Sequence, residues 1–142
     1  QNRQPIIYGD GEQKRSFSDV KDCIFCLDKM MFDKKIQSEI INIGPDEDFI
    51  TINELYEIIS NKMKFNKGAL YKPDRPNEVK YANCSSDKAR QLLEFKTSVN
   101  LDESLDKLIK FITKKGPIDF KYNYDLEIVS DKTPETWSKK LF

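Results

Sequence analysis

Pro5-Ile-Ile-Tyr-Gly-Asp-Gly-Glu-Gln-Lys-Arg-Ser-Phe-Ser-Asp-Val-Lys-Asp22 decides how the rest of the chain is read. Pro5–Tyr8 is a short β-prone run ended by Gly9-Asp-Gly11, the pattern of a strand entering a turn. From Val20 the periodicity changes. Val20, Ile24, Leu27 and Met31 recur at helical spacing with charges between them, which predicts a helix from about Val20 to Phe32. The two glycines superficially match a dinucleotide fingerprint, but the third glycine and the helix that should follow are missing, so that reading is rejected.

Working outward, Glu39-Ile-Ile-Asn-Ile43 is an apolar, β-branched run that predicts a strand, stopped by Gly44-Pro45. Thr51-Ile-Asn-Glu54 is a capping box, in which hydroxyl and carboxylate each satisfy a backbone N–H at a helix start. Leu55, Ile58, Ile59 and Met63 supply the apolar stripe behind it. Gly68–Tyr71 and Val79–Ala82 are further candidate strands, and the two prolines of Pro73-Asp-Arg-Pro-Asn77 make the connection between them a loop. Ser86–Leu93 is predicted as a short helix with Ser86 as N-cap. A second box, Asn100-Leu-Asp-Glu103, opens a helix whose buried stripe is expected to be Leu101, Leu105, Leu108, Ile109 and Ile112, and Gly116-Pro117 ends it. The aromatic residues from Asp119 to Phe142 keep no steady period and are expected to pack as an irregular arm. Three or four short strands with three to four helices make a small mixed α/β lobe. No repeated βαβ series is present, so a complete doubly wound sheet is excluded.

Composition narrows the function classes. The chain has 142 residues, 24 Lys+Arg against 24 Asp+Glu, no histidine and three cysteines. That length suits one compact domain, residues 1–142. Zero formal charge argues against a nucleic-acid or anionic-membrane surface, and no apolar run approaches the roughly 18 residues of a membrane span. The absence of histidine removes the commonest general base near neutral pH and the commonest zinc ligand. Cys23-Ile-Phe-Cys26 has the spacing of half a zinc site or a redox pair, but Cys84 alone remains to complete a ligand set, which favours small apolar residues on a buried helix. Reduced thiols and the lack of a secretion signal favour the cytoplasm. Gln1, without an initiating Met, is read as the start of a processed chain or of a piece of something longer.

Two arginines carry the candidate chemistry. Arg15 lies just past the glycine turn, and Arg75 lies in the stiff Lys72-Pro-Asp-Arg-Pro76 loop with Glu78 after it. A planar guanidinium in a stiff loop suits bidentate capture of a phosphate. The competing reading is a surface ion pair, Arg15 with Asp19 and Arg75 with Asp74 or Glu78. No tyrosine is followed four positions later by lysine, and neither a P-loop nor a nucleophile elbow is present. No catalytic residue or metal ligand is assigned.

The order of the pieces adds a resemblance. Pro5–Asp22, Ile41-Asn-Ile-Gly44, the capped helix from Thr51, Arg75-Pro-Asn-Glu78, Ser85-Ser-Asp-Lys-Ala-Arg90 and Leu92-Leu-Glu-Phe-Lys96 follow one another as in the C-terminal substrate-binding domain of the extended short-chain dehydrogenase/reductases. These are the NAD-dependent nucleotide-sugar epimerases and dehydratases, and the match runs from about Pro5 to Ile112. The resemblance implies that a Rossmann domain holding NAD and a Tyr/Lys pair lies outside this chain. It also implies that the enzyme works by transient oxidation at C4 of the sugar, that it is a homodimer, and that this piece alone is inactive. By position, Arg15 and Arg75 match the arginines on the nucleotide diphosphate, Glu78 an acidic residue on the ribose, and Phe17 and Tyr8 the wall of the base and sugar pocket. The implied ligand is a nucleotide-sugar, a UDP-sugar above all. Ser16 departs from the pattern, which has Asp there. The alternative from another class is a free-standing, non-catalytic binding or interaction module.

Overall fold

A computed structural model of the chain describes residues 3–47, 49–118 and 130–139. The elements are β1 (Ile6–Tyr8), β2 (Lys14–Arg15), α1 (Val20–Phe32), β3 (Ile50–Thr51), α2 (Ile52–Met63), β4 (Leu70–Lys72), β5 (Tyr81–Ala82), α3 (Asp87–Leu93), α4 (Leu101–Lys115) and the single turn α5 (Glu135–Ser138). This is the mixed α/β lobe that the sequence predicts. β1 pairs parallel with β4, placing Tyr8 opposite Lys72. β2 lies between β3, antiparallel to it, and β5, parallel to it.

Local chemistry sets the helix ends. Thr51 Oγ1 accepts from Glu54 N–H at 3.0 Å while Glu54 accepts from Thr51 N–H at 2.7 Å, so both halves of the box are present. Asn100 accepts from Glu103 N–H, and Gly116 closes α4 at a φ of +74°. Asp19 caps α1 by accepting from Lys21 N–H, and Ser104 Oγ donates to the same carboxylate at 2.6 Å, tying the start of α1 to α4. The core is small: Cys26, Ile36, Ala89, Leu93 and Phe95, with Met30, Ile41 and Ile43 packed against it. Burial pushes the Cys26 thiol pKa up. Cys23 is half-buried and Cys84 exposed.

Several expectations are corrected. Glu39–Ile43 forms no strand. Ile41 and Ile43 lean on the core while Ile40 stays 86% exposed, and no neighbouring strand pairs with the run. β2 and β3 are strands that the sequence reading missed, because two-residue strands carry no period of their own. The residues whose spacing predicted α1 point outward: Val20, Ile24, Leu27 and Met31 are 56–77% exposed, and Asp22 and Cys26 are buried. On α4 only Leu105 of the predicted stripe is buried, with Leu108 and Ile112 exposed. Ser86 sits at the start of α3 but does not cap it, since its hydroxyl donates to Gly44 C=O at 2.5 Å. Of the predicted arm, residues 119–129 and 140–142 lie outside the described residues. No helix among the described residues is long and apolar enough to cross a membrane.

The carboxylates predict how stability depends on pH. Hydrogen bonds from Arg90 and Ser86 N–H hold Asp46 below its ordinary range. Asp19 is lowered by Ser104 and Lys21, and Glu54 by Thr51. A depressed folded pKa gives stability that is present above the unfolded value, about 4, and is lost as pH falls through the lower folded values. The urea midpoint is therefore expected to hold between about pH 5 and 7 and to fall below about pH 4. Asp46→Asn should remove part of that slope; a midpoint unchanged down to pH 3 would contradict it.

Candidate functional site

The two short parallel pairings assemble the site. β1 and β4 end side by side, and Gly9 N–H bonds Lys72 C=O at 2.9 Å, so both segments leave the sheet at the same edge. Gly9 adopts a φ of +77°, and a Cβ there would come within 2.2 Å of Asp74 Oδ1. Any side chain at Gly9 would thus meet both backbone strain and the neighbouring loop. Gln13, buried, donates from Nε2 to Tyr8 C=O at 2.9 Å and closes the glycine turn from inside.

Arg75 then folds back over Tyr8, its guanidinium carbon 5.3 Å from the ring centroid. A cation over an aromatic face is attracted by the ring quadrupole. Arg75 Nε donates to Glu78 Oε2 at 3.0 Å and Nη2 donates to Glu78 Oε1 at 2.7 Å, a bidentate pair closed across the Pro76-Asn77 turn, where Asn77 has a φ of +58°. The Glu78 hydrogen bond raises the Arg75 pKa further, against a smaller opposing effect of burial.

Arg15 reaches the same carboxylate from β2, Nη2 lying 3.5 Å from Glu78 Oε1. Its remaining bonds go to backbone: Nη2 to Val79 C=O at 2.7 Å, and Nη1 to Lys14 C=O at 2.7 Å and Lys80 C=O at 3.3 Å. Arg15 is thus a clip that fastens the 78–80 segment to β2.

The structure therefore brings Arg15, Arg75, Glu78 and Tyr8 together across more than 60 residues of sequence. A polar cavity of about 310 Å³ opens beside them, lined by Arg75, Glu78, Asp10, Asp74 and Lys80 among others. Phe17 is half-buried and does not line that cavity. Of the ion pairs weighed from sequence, Arg75 takes Glu78 and not Asp74, and Arg15 takes Glu78 while Asp19 caps α1. Asp10, Asp74 and Lys80 were missed, and their position flanking the glycine turn and the two loop prolines was the signal available. An apolar cavity of about 430 Å³ between β1 and α2 is lined by Leu55, Ile59 and Met63 of the predicted stripe and by none of the predicted site residues.

The described residues do not fit a dinucleotide cofactor. The Gly9-Asp-Gly11 turn runs into strand β2, so no helix N-terminus stands where a pyrophosphate would need one.

No family model matches the chain. It is 32% identical over 111 residues to a candidate UDP-glucose 4-epimerase of Methanocaldococcus jannaschii, covering 78% of this chain and 35% of that protein. It is 28% identical over 109 residues to a UDP-glucuronate 4-epimerase of Thermodesulfobacterium geofontis, covering 76% and 33% respectively. Among solved structures, the UDP-glucose 4-epimerase of Thermotoga maritima with UDP-glucose aligns at a TM-score of 0.75 and 26% identity, over 80% of this chain and 36% of that one. The UDP-glucuronic acid 4-epimerase of Bacillus cereus with UDP-glucuronic acid and NAD aligns at 0.71 and 27%, over 81% and 37%. In fold and sequence the chain thus resembles the C-terminal portions of extended short-chain dehydrogenase/reductases. More particularly, it is a relative of the nucleotide-sugar 4-epimerases and spans about a third of the length of those it matches.

Proposed function

We propose that this chain is the nucleotide-sugar-binding part of a UDP-sugar epimerase or dehydratase. The observation that carries the reading is the convergence of Arg75 and Arg15 on Glu78 beside a polar cavity. Arg75 takes the diphosphate, because its guanidinium still has Nη1 to offer, and Arg15 adds its charge beside it. Glu78 takes a ribose hydroxyl in this reading, and the Tyr8 ring backs Arg75; Phe17 does not line the polar cavity, so its apolar surface is assigned to the base outside it. Neighbouring structures solved with UDP-glucose and with UDP-glucuronic acid support that class of ligand.

NAD, and the transient oxidation at C4, belong in this reading to parts of such enzymes outside the described residues, in a Rossmann domain preceding this single domain. No residue described here takes part in that step. The complete enzyme is read as a cytoplasmic homodimer. The chain alone is expected to bind UDP weakly, since one wall of a closed cleft is missing, and to show neither NAD binding nor turnover. Calorimetry with UDP, UDP-glucose and NAD checks this. Heat from NAD with none from UDP would overturn the reading, and turnover by the chain alone would overturn its predicted inactivity.

A further inference from the structure

Arg75 is held on two sides by side chains of this chain. The Arg75 guanidinium carbon lies over the Tyr8 ring, 5.3 Å from its centroid, and Glu78 occupies the Nε–Nη2 edge through two hydrogen bonds of 3.0 and 2.7 Å. Among the described residues no acceptor is bonded to Nη1. Glu78 is held in turn, because Arg15 bonds the carbonyls of Val79 and Lys80 and approaches the Glu78 carboxylate. The contact with Arg75 is made by the Tyr8 ring; its buried hydroxyl has no hydrogen-bond partner among the described residues. The backbone explains the placement. Tyr8 is the last residue of β1 and is registered against Lys72, three residues before Arg75, so the loop must turn back across the ring.

We propose that Tyr8 and Glu78 are positioning residues that hold Arg75 with its remaining Nη1–Nη2 edge presented to phosphate, and that Arg15 supports this arrangement by fastening the 78–80 segment. This rests on the nucleotide-sugar reading and sharpens it. Tyr8 then acts on the phosphate end of the ligand through Arg75, and not on the base. A long flexible cation loses rotamer freedom whenever it is fixed on a ligand. Fixing it beforehand between a ring and a carboxylate removes much of that cost from binding.

The test compares pyrophosphate, UDP and uridine as probes by calorimetry, using the chain as it is and its Tyr8→Phe, Tyr8→Leu and Glu78→Gln variants. In parallel, the Arg75 Nε–Hε signal is followed by NMR without ligand. Tyr8→Phe is expected to bind within about twofold of the parent, because ring and stack are kept. Tyr8→Leu is expected to weaken UDP and pyrophosphate by the same factor, about fivefold, to leave uridine unchanged, and to move the Arg75 signal. Glu78→Gln should move that signal as well. A Tyr8→Leu variant that loses UDP and uridine but keeps pyrophosphate would make Tyr8 a base-wall residue and overturn the proposal. An Arg75 signal indifferent to both variants would overturn it too. Should the parent bind neither UDP nor pyrophosphate while the Arg75 signal still responds, the nucleotide reading falls and the positioning of Arg75 stands. Urea midpoints of all variants identify any that lose affinity through unfolding.

Discussion

Arg75→Ala is expected to weaken UDP binding by at least about tenfold and to move the urea midpoint very little. A charge-assisted hydrogen bond contributes about 1.5–3 kcal/mol, which is about a tenfold to 150-fold change in affinity. The truncation also leaves Glu78 without its bidentate partner and with only Arg15, 3.5 Å away, to offset its charge, so the carboxylate beside the cavity disfavours a diphosphate. Arg75→Lys should not restore affinity, because an ammonium lacks the planar fork that makes two parallel bonds to Glu78 along one edge and presents another edge to the ligand. The stability effect is small because the Arg75–Glu78 pair is partly solvated, and such pairs contribute about 0–1 kcal/mol. Calorimetry at low salt measures the affinity. Equal UDP affinity in parent and variant would remove Arg75 from the site.

Leu93→Ala should have the largest effect on stability, a loss of about 2–5 kcal/mol. Leu93 is 1% exposed and lies in the cluster of Cys26, Ile36, Ala89 and Phe95, where α3 meets α1. Truncation there removes apolar contacts and leaves a cavity that surrounding helices can only partly close. With a core of so few side chains, such a loss is a large share of the 5–15 kcal/mol that keeps an ordinary domain folded. A urea midpoint lower by about 1–2 M is expected for a typical slope. A shift under about 0.3 M would mean that this cluster does not carry the fold.

What could be read from the sequence was local. α1 starts and stops where the pattern placed it, because the switch to helical spacing at Val20 and the end of the apolar repeat near Phe32 both lie within a few residues. The Thr51 box and the Gly116 stop are likewise properties of one turn of chain. The face of a helix that would be buried was less legible. The spacing of Val20, Ile24, Leu27 and Met31 shows that these residues share a face, but not that the neighbouring elements cover it. Here the covered face is the one with Asp22 and Cys26. Asp22 is buried because its carboxylate accepts from the Ser98 backbone N–H at 3.1 Å and from the Ser98 hydroxyl, a partner 76 residues away. A separation of 43–44 residues likewise hid the pairing of Arg90 with Asp46 and Glu47, which joins α3 to the 44–47 segment.

Local sequence signals were enough for the mixed α/β class, the limits of the main helices, the stiff loop around Arg75 and the order of motifs shared with the nucleotide-sugar epimerases. These depend on propensities, caps and prolines that act within a few residues. Only the tertiary structure decided that Lys14–Arg15 is a strand, that Glu39–Ile43 is not, and that Arg15, Arg75 and Tyr8 meet around one glutamate. A two-residue strand exists only through its partners, and the β1–β4 and β2–β5 pairings join segments more than 60 residues apart. Which carboxylate an arginine finds is fixed by that register, since any nearby acid in the sequence is otherwise an equal candidate.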